Sequence, residues 1–177
     1  MSVNEPFPTP EMQVDVVDMI DRPIGVAERK AVLPERDNFR VVHVLVSNAK
    51  GEVLLQQLAS TRERNPLRWG ASVAAYLFAG ETYEAAAHRR LRQELGVPNA
   101  KLSLVGKTSM LDEASIKFIE LYACRYDGPL TIDKSHIADV AFVPIDAIAG
   151  RLKEEPDFFT PTFQLLFPFF LAAHSQR

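Results

Sequence analysis

The stretch "GETYEAAAHRRLRQELGV", residues 80 to 97, holds side chains whose types and spacing could do chemistry: Glu81, Arg89, Arg90, Gln93 and Glu94. Carboxylates at i, i+3 and i+4 along one edge of a helix can hold a magnesium ion, because hard cations take oxygen ligands and commonly share them with substrate phosphates. On this edge only Glu94 is acidic, and Arg90 and Gln93 stand at the other two places. From the residues alone two readings stay open. Arg90 and Glu94 form a solvated i,i+4 ion pair worth about 0.3–0.5 kcal/mol, or the edge is a thinned metal–phosphate site in which the Arg90 fork contacts a phosphate itself.

Elements must position these groups. Thr82 is a plausible N-cap, Glu84 suits the first turn, and Gly96 is a good stop after Leu95. Ala87, Leu91 and Leu95 make the apolar stripe of the helix, with Arg90 and Glu94 beside it. Upstream, "VDVVDMIDRPIGVAERKAVL" reads as a short strand pair about Asp21-Arg22-Pro23. "RVVHVLVS" (residues 40–47) is a buried strand turned by "NAKG" into "EVLLQQL". A polar loop, "ASTRERNPLR", leads to the apolar "WGASVAAYLF". Further strands are expected at 102–110, 115–126 and in "VAFVPI", with helices starting at Pro144 and at Thr160-Pro161. Strands and helices mixed without a regular alternation predict an α+β fold with a mixed β-sheet. Residues 1–12 are expected to be a mobile tail and 13–177 a single domain.

The helix with its turn resembles the Nudix box, in which a glycine is followed by Glu and then by Arg-Glu-aliphatic-x-Glu-Glu-x-Gly-aliphatic. Glu81, Arg89, Leu91, Glu94, Gly96 and Val97 match; Ala75 replaces the first glycine, and Arg90 and Gln93 replace two glutamates. "DRPIGVAERKAV", "VVHVLVSNAKGEVLLQQ", "NPLRW" and "FFTPTF" are similar to Nudix proteins on the isopentenyl-diphosphate-isomerase-like branch. The resemblance implies an α/β/α sandwich and hydrolysis of a small diphosphate compound of the nucleoside-diphosphate kind, with magnesium or manganese bound by box glutamates. It implies Glu94, Glu81 and Arg89 as catalytic residues, Arg89 orienting carboxylates. The metal set is Glu94, Glu81 and Glu120, holding the ion weakly because Arg90 opposes it. Substrate contacts fall on Arg62, Arg40 and Arg90. A Nudix domain that binds a phosphorylated ligand or a protein partner without turnover is the competing class.

Isomerisation itself is improbable. The catalytic cysteine of the isomerases falls at Ala74, their metal-binding histidines at Leu33, Phe39 and Tyr76, and one of their two strand glutamates at Phe118; only the other persists, as Glu120. His43, in an apolar strand, reads as a satisfied core histidine, and His88 as solvent-facing. His136 stands where many relatives have a glutamate, which removes one candidate base. Cys124 reads as a small core residue without an activated thiol. Trp69 and Tyr76 could stack on a base, although strand aromatics are more often packing.

Composition bounds the rest. The 177 residues are 47% hydrophobic and 24% charged, with a net charge of -3, which gives no general attraction to nucleic acid or anionic membrane. One cysteine excludes an internal disulfide, and the N-terminal residues lack a basic segment followed by an apolar run, so a cytoplasmic protein is expected. "FFTPTFQLLFPFFLAA" (158–173) is too short and too interrupted by Pro161 and Pro168 to span a bilayer. It closes the core or leaves an apolar surface for a homodimer.

Overall fold

Asp21 takes the expected turn with φ +64°, and its neighbour Asp18 accepts the N–H groups of Ile20 and Arg22. The turn joins β1 (Gln13–Val17) to β2 (Pro23–Glu28) in an antiparallel pair. The computed structural model describes residues 12–176. The expected mobile tail therefore lies outside the described residues except for Met12, whose carbonyl accepts the Arg29 N–H.

The β-branched run becomes β3 (Phe39–Ser47), buried over most of its length, and Gly51 at φ +76° turns it into β4 (Glu52–Leu58). Then follow β5 (Trp69–Gly70), β6 (Val73–Tyr76), α1 (Tyr83–Leu95), β7 (Ser103–Asp112) and β8 (Ser115–Arg125). The chain ends in β9 (Ile137–Pro144), α2 (Ile145–Glu154) and α3 (Pro161–His174). The main sheet is mixed: β3 runs parallel to β8 and antiparallel to β6, while β4 pairs antiparallel with β5 and β9. β3 and β4 share register only at Ser47↔Val53 and then part, each taking new neighbours. Their separation opens the cleft described below.

Alternation along β3 divides the core into two. Phe39, Val41 and Leu45 face α2 and α3, while Val42, Val44 and Val46 face α1, giving the expected α/β/α sandwich. The phenylalanine-rich segment closes the first core. Phe159, Phe163 and Phe167 are at most 1% exposed and stack in succession at 5.0 and 5.2 Å. Pro168 does not interrupt α3: its position is exposed, so the lost N–H and the ring fall on the solvent side. On the other face α1 buries Leu91 and Leu95 completely, each worth about 1.5–3 kcal/mol.

Candidate functional site

The two ends of α1 are held as their residues dictate. Thr82 accepts the Ala85 N–H at 3.1 Å, and Gly96 ends the helix at φ +66°. A Cβ on Gly96 would lie 2.9 Å from Thr131 Cβ, so glycine also admits the segment that crosses the helix end. That segment donates Thr131 N–H to Leu95 O and Asp133 N–H to Glu94 O, and so carries His136 to the same place.

Glu81 and Arg89 form a closed lock. Arg89 Nε and Nη2 donate to the two Glu81 oxygens at 2.8 and 2.9 Å, and Nη2 also to Tyr76 O at 3.0 Å. Phe78 N–H donates to Glu81, and the Phe78 ring lies 3.5 Å from the guanidinium carbon. The pair thus fixes the turn before α1 against the end of β6.

The Arg90–Glu94 pair corrects the solvated reading. The residues are 4% and 2% exposed, Arg90 Nη2 sits 2.6 Å from Glu94 Oε1, and Gln56 Nε2 donates to Oε2 at 3.0 Å. Burial pushes the Glu94 carboxyl up and the Arg90 guanidinium down, and each charge partly offsets the shift of the other. Arginine keeps its proton regardless. The helical wheel placed both residues beside the stripe but gave no sign of the loop that covers them.

Arg90 lines a cleft of about 730 Å³ between the parted strands. Six lining side chains are cationic (Arg29, Lys30, Arg62, Arg64, Arg90, Lys117) and three anionic (Glu63, Asp112, Glu113), against a chain that is net negative. Arg62 is exposed at its rim, on a loop tied to Ala59, whose N–H reaches His136 O. Trp69 is absent from the lining and stacks on Phe158 at 6.0 Å. Tyr76 lines the cleft while stacking on Phe39 at 5.2 Å, and Leu33 and Ala74 also line it. Leu33, Ala74 and the Tyr76 phenol thus stand at three of the positions where the isomerase resemblance places metal ligands or the thiol.

Several cleft groups escaped the sequence reading. Asp112 is buried and binds both Arg64 and Lys117, whose ammonium also reaches Thr162 Oγ1 at 2.9 Å. Burial lowers the Lys117 pKa. Asp112 and Lys117 stand at opposite ends of the β7–β8 turn, and nothing local marks them as a pair facing a cleft. His43 is buried as expected, but it is not satisfied: its Nδ1 has no hydrogen-bond partner among the described residues. Burial, then Lys117, pushes it down to about 3. His136 is held by its neighbours: its Nδ1 lies 2.9 Å from Asp133 Oδ2 and 2.8 Å from Ser135 Oγ. The Asp-x-x-His spacing in "DKSHI" was the available signal. Cys124 is buried with its thiol raised to about 11, in keeping with a packing role. His88 is half-buried beside Glu84.

Glu120 and Arg40 are elsewhere. Glu120 accepts Tyr122 Oη at 2.7 Å and faces Lys107 at 3.7 Å. Arg40, expected at the substrate, binds Asp21 at 2.6 Å and lies 3.8 Å from Asp15; it is absent from the cleft lining. Tyr83 and Lys107 complete this cluster around Asp21. Glu81, Glu94 and Glu120 are therefore each engaged by a different cation. Among the described residues no group of three or more His, Cys, Asp or Glu is gathered that could hold a metal ion. The donor set present does not fit a divalent cation.

The chain matches the NUDIX domain family over residues 37–163. The isopentenyl-diphosphate Delta-isomerase of Pectobacterium atrosepticum is 29% identical to it, over 89% of this chain and 90% of that one. A crystal structure from Deinococcus radiodurans has the same fold, with TM-score 0.78 at 21% identity, covering 88% of this chain and 97% of the other. The Nudix domain of Shewanella oneidensis NrtR, solved in complex with ADP ribose, gives TM-score 0.62 at 14% identity over 85% and 99% of the two chains. No helix among the described residues is long and apolar enough to cross a membrane. With the sandwich in place and the box helix capped where the motif requires, the match over most of its length places this chain in the Nudix family.

Proposed function

We propose that the cleft between β3 and β4 takes a small diphosphate-bearing molecule of the nucleoside-diphosphate kind, with its anionic group on Arg62 and Arg90. The observation that carries this reading is the Arg90 guanidinium, buried on the box helix yet lining a cleft with more cations than anions. A planar guanidinium suits phosphate oxygens, and the burial of Arg90 strengthens the attraction. Arg89 and Glu81 serve by holding the box turn and do not face the ligand.

Nudix hydrolases generally use a divalent metal. Magnesium or manganese on Glu81, Glu94 and Glu120 has family membership in its favour and the separation of those carboxylates against it. Calorimetry in EDTA with ADP ribose as probe distinguishes the two. The cleft reading expects metal-free binding, unchanged by magnesium and weakened at least about tenfold in Arg90→Met, the loss of one charge-assisted hydrogen bond of about 1.5–3 kcal/mol. Binding that appears only with magnesium and vanishes in Glu94→Gln would favour the metal site instead.

A further inference from the structure

His43 carries a cost that the fold does not explain. It is 7% exposed in the wall of the cleft, and its Nδ1 has no hydrogen-bond partner among the described residues. A buried polar nitrogen left unpaired costs stability, and folded proteins keep few of them. Strand alternation puts His43 on the face of β3 that Phe39, Val41 and Leu45 share, and the parallel register with β8 brings Lys117 to that face beside Phe39.

The groups around this nitrogen are polar and their charges are balanced. Lys117 Nζ donates to Thr162 Oγ1 at 2.9 Å and to Asp112 at 3.1 Å, so Asp112 offsets its charge. Burial first, and then the Lys117 charge, keep the His43 ring neutral. The Thr162 hydroxyl lies 3.6 Å from Met110 Sδ. A thioether is a weak acceptor, so this hydroxyl can turn to a better one at little loss. His43, Lys117, Asp112 and Thr162 all line the cleft.

We propose that His43 and Thr162 read a hydroxyl on the organic group of the ligand, as a second subsite on the α3 side of the cleft, while the anionic group sits on Arg62 and Arg90. The inference rests on the diphosphate reading above. A neutral imidazole offers one N–H and one lone pair, and a hydroxyl both donates and accepts, so the two match whichever ring nitrogen carries the proton. The second torsion of a histidine side chain is broad and roughly two-fold, which lets either edge of the ring turn to the ligand. An apolar organic group would leave both His43 and Thr162 without a partner, and a site built to bind a hydroxyl rejects the analogue that lacks it. Arg90 reaches the cleft from α1 and Thr162 from the first turn of α3, on opposite faces of the sheet. The cleft of about 730 Å³ has room for an organic group beside a diphosphate.

The test uses the full chain in EDTA and calorimetry with two probes, ADP ribose and inorganic diphosphate; the second offers the anion without a hydroxyl-bearing group. His43→Leu should weaken ADP ribose binding at least about tenfold and leave the inorganic diphosphate Kd within about threefold. His43→Asn, which keeps a neutral donor and acceptor, should recover part of the loss. Thr162→Val, which keeps the side-chain shape, should weaken ADP ribose about threefold or more with the same selectivity, and it carries the test if His43→Leu does not fold. An ADP ribose Kd untouched by His43→Leu and Thr162→Val, or an equal loss for the two probes, overturns the subsite; Arg90→Met still weakening both probes would then leave the cleft reading standing. A parent chain that leaves either probe unbound sinks the cleft reading, and the subsite with it.

Discussion

Arg89 and Arg90 are neighbours on α1, 6% and 4% exposed, and each binds a glutamate, yet they hold different parts of the molecule. Arg89 meets its partners in the strand end and turn that lead into its own helix: both Glu81 oxygens, Tyr76 O and the Phe78 ring. Arg90 meets Glu94, shares it with Gln56 and stands in the wall of the cleft. Burial therefore does not separate a structural arginine from a ligand-facing one. What separates them is which surfaces the guanidinium joins: Arg89 ties a turn to a strand, and Arg90 brings charge to an opening.

The largest effect should come from breaking the lock. Arg89→Ala leaves Glu81 without its cation and Tyr76 O without its donor, which should cost about 3–5 kcal/mol. Arg89→Lys, which keeps the charge but loses the fork, should recover only part. Urea denaturation measures both, and a loss under about 1 kcal/mol for the alanine variant would show that the turn holds without the lock.

The cleft end should reveal itself through pH. The folded-state pKa of His43, about 3, lies below its ordinary value of 6.5, so protons bind the unfolded chain more tightly. The stability it contributes is full above pH 6.5 and drains as pH falls toward 3, by roughly 3 kcal/mol at pH 4. His43→Leu should remove that part of the acid limb. Curves of parent and variant that stay parallel from pH 7 to pH 4 would mean that the ring takes up a proton in the folded state.

The difference between the two arginines also marks the limit of what the sequence could tell. The caps at Thr82 and Gly96, the strand runs and the Thr160-Pro161 helix start are local signals, written in the few residues that make each contact, and all were legible. So was the box, including its missing glutamates. The burial of Arg90 and Glu94 was not, because it depends on residues 131–136 folding over the helix end and on Gln56 arriving from β4. Arg40 was misplaced for the same reason: its partner Asp21 reaches it from a turn 19 residues earlier, and no periodicity connects the two. The cleft itself comes from two strands parting after one shared register position, which neither strand records in its own residues.

The smallest stability change should come from removing the Arg90–Glu94 pair as a whole. Two charges taken from water recover little beyond their desolvation, and replacing a buried ion pair with apolar groups of similar volume is often neutral or favourable. In Arg90→Met/Glu94→Leu, Gln56 keeps its bond to Ser72 O at 2.9 Å. The double variant should therefore stay within about 1 kcal/mol of the parent or exceed it, while ADP ribose binding is lost. The same treatment of the other pair, Arg89→Met/Glu81→Leu, cannot be neutral, because Tyr76 O and Phe78 N–H lose their side-chain partners with it. Denaturation midpoints of the two double variants compare the arginines directly. If the Arg90 pair proves as costly to remove as the Arg89 pair, its charges serve the fold, and the cleft loses the cation on which its phosphate reading depends.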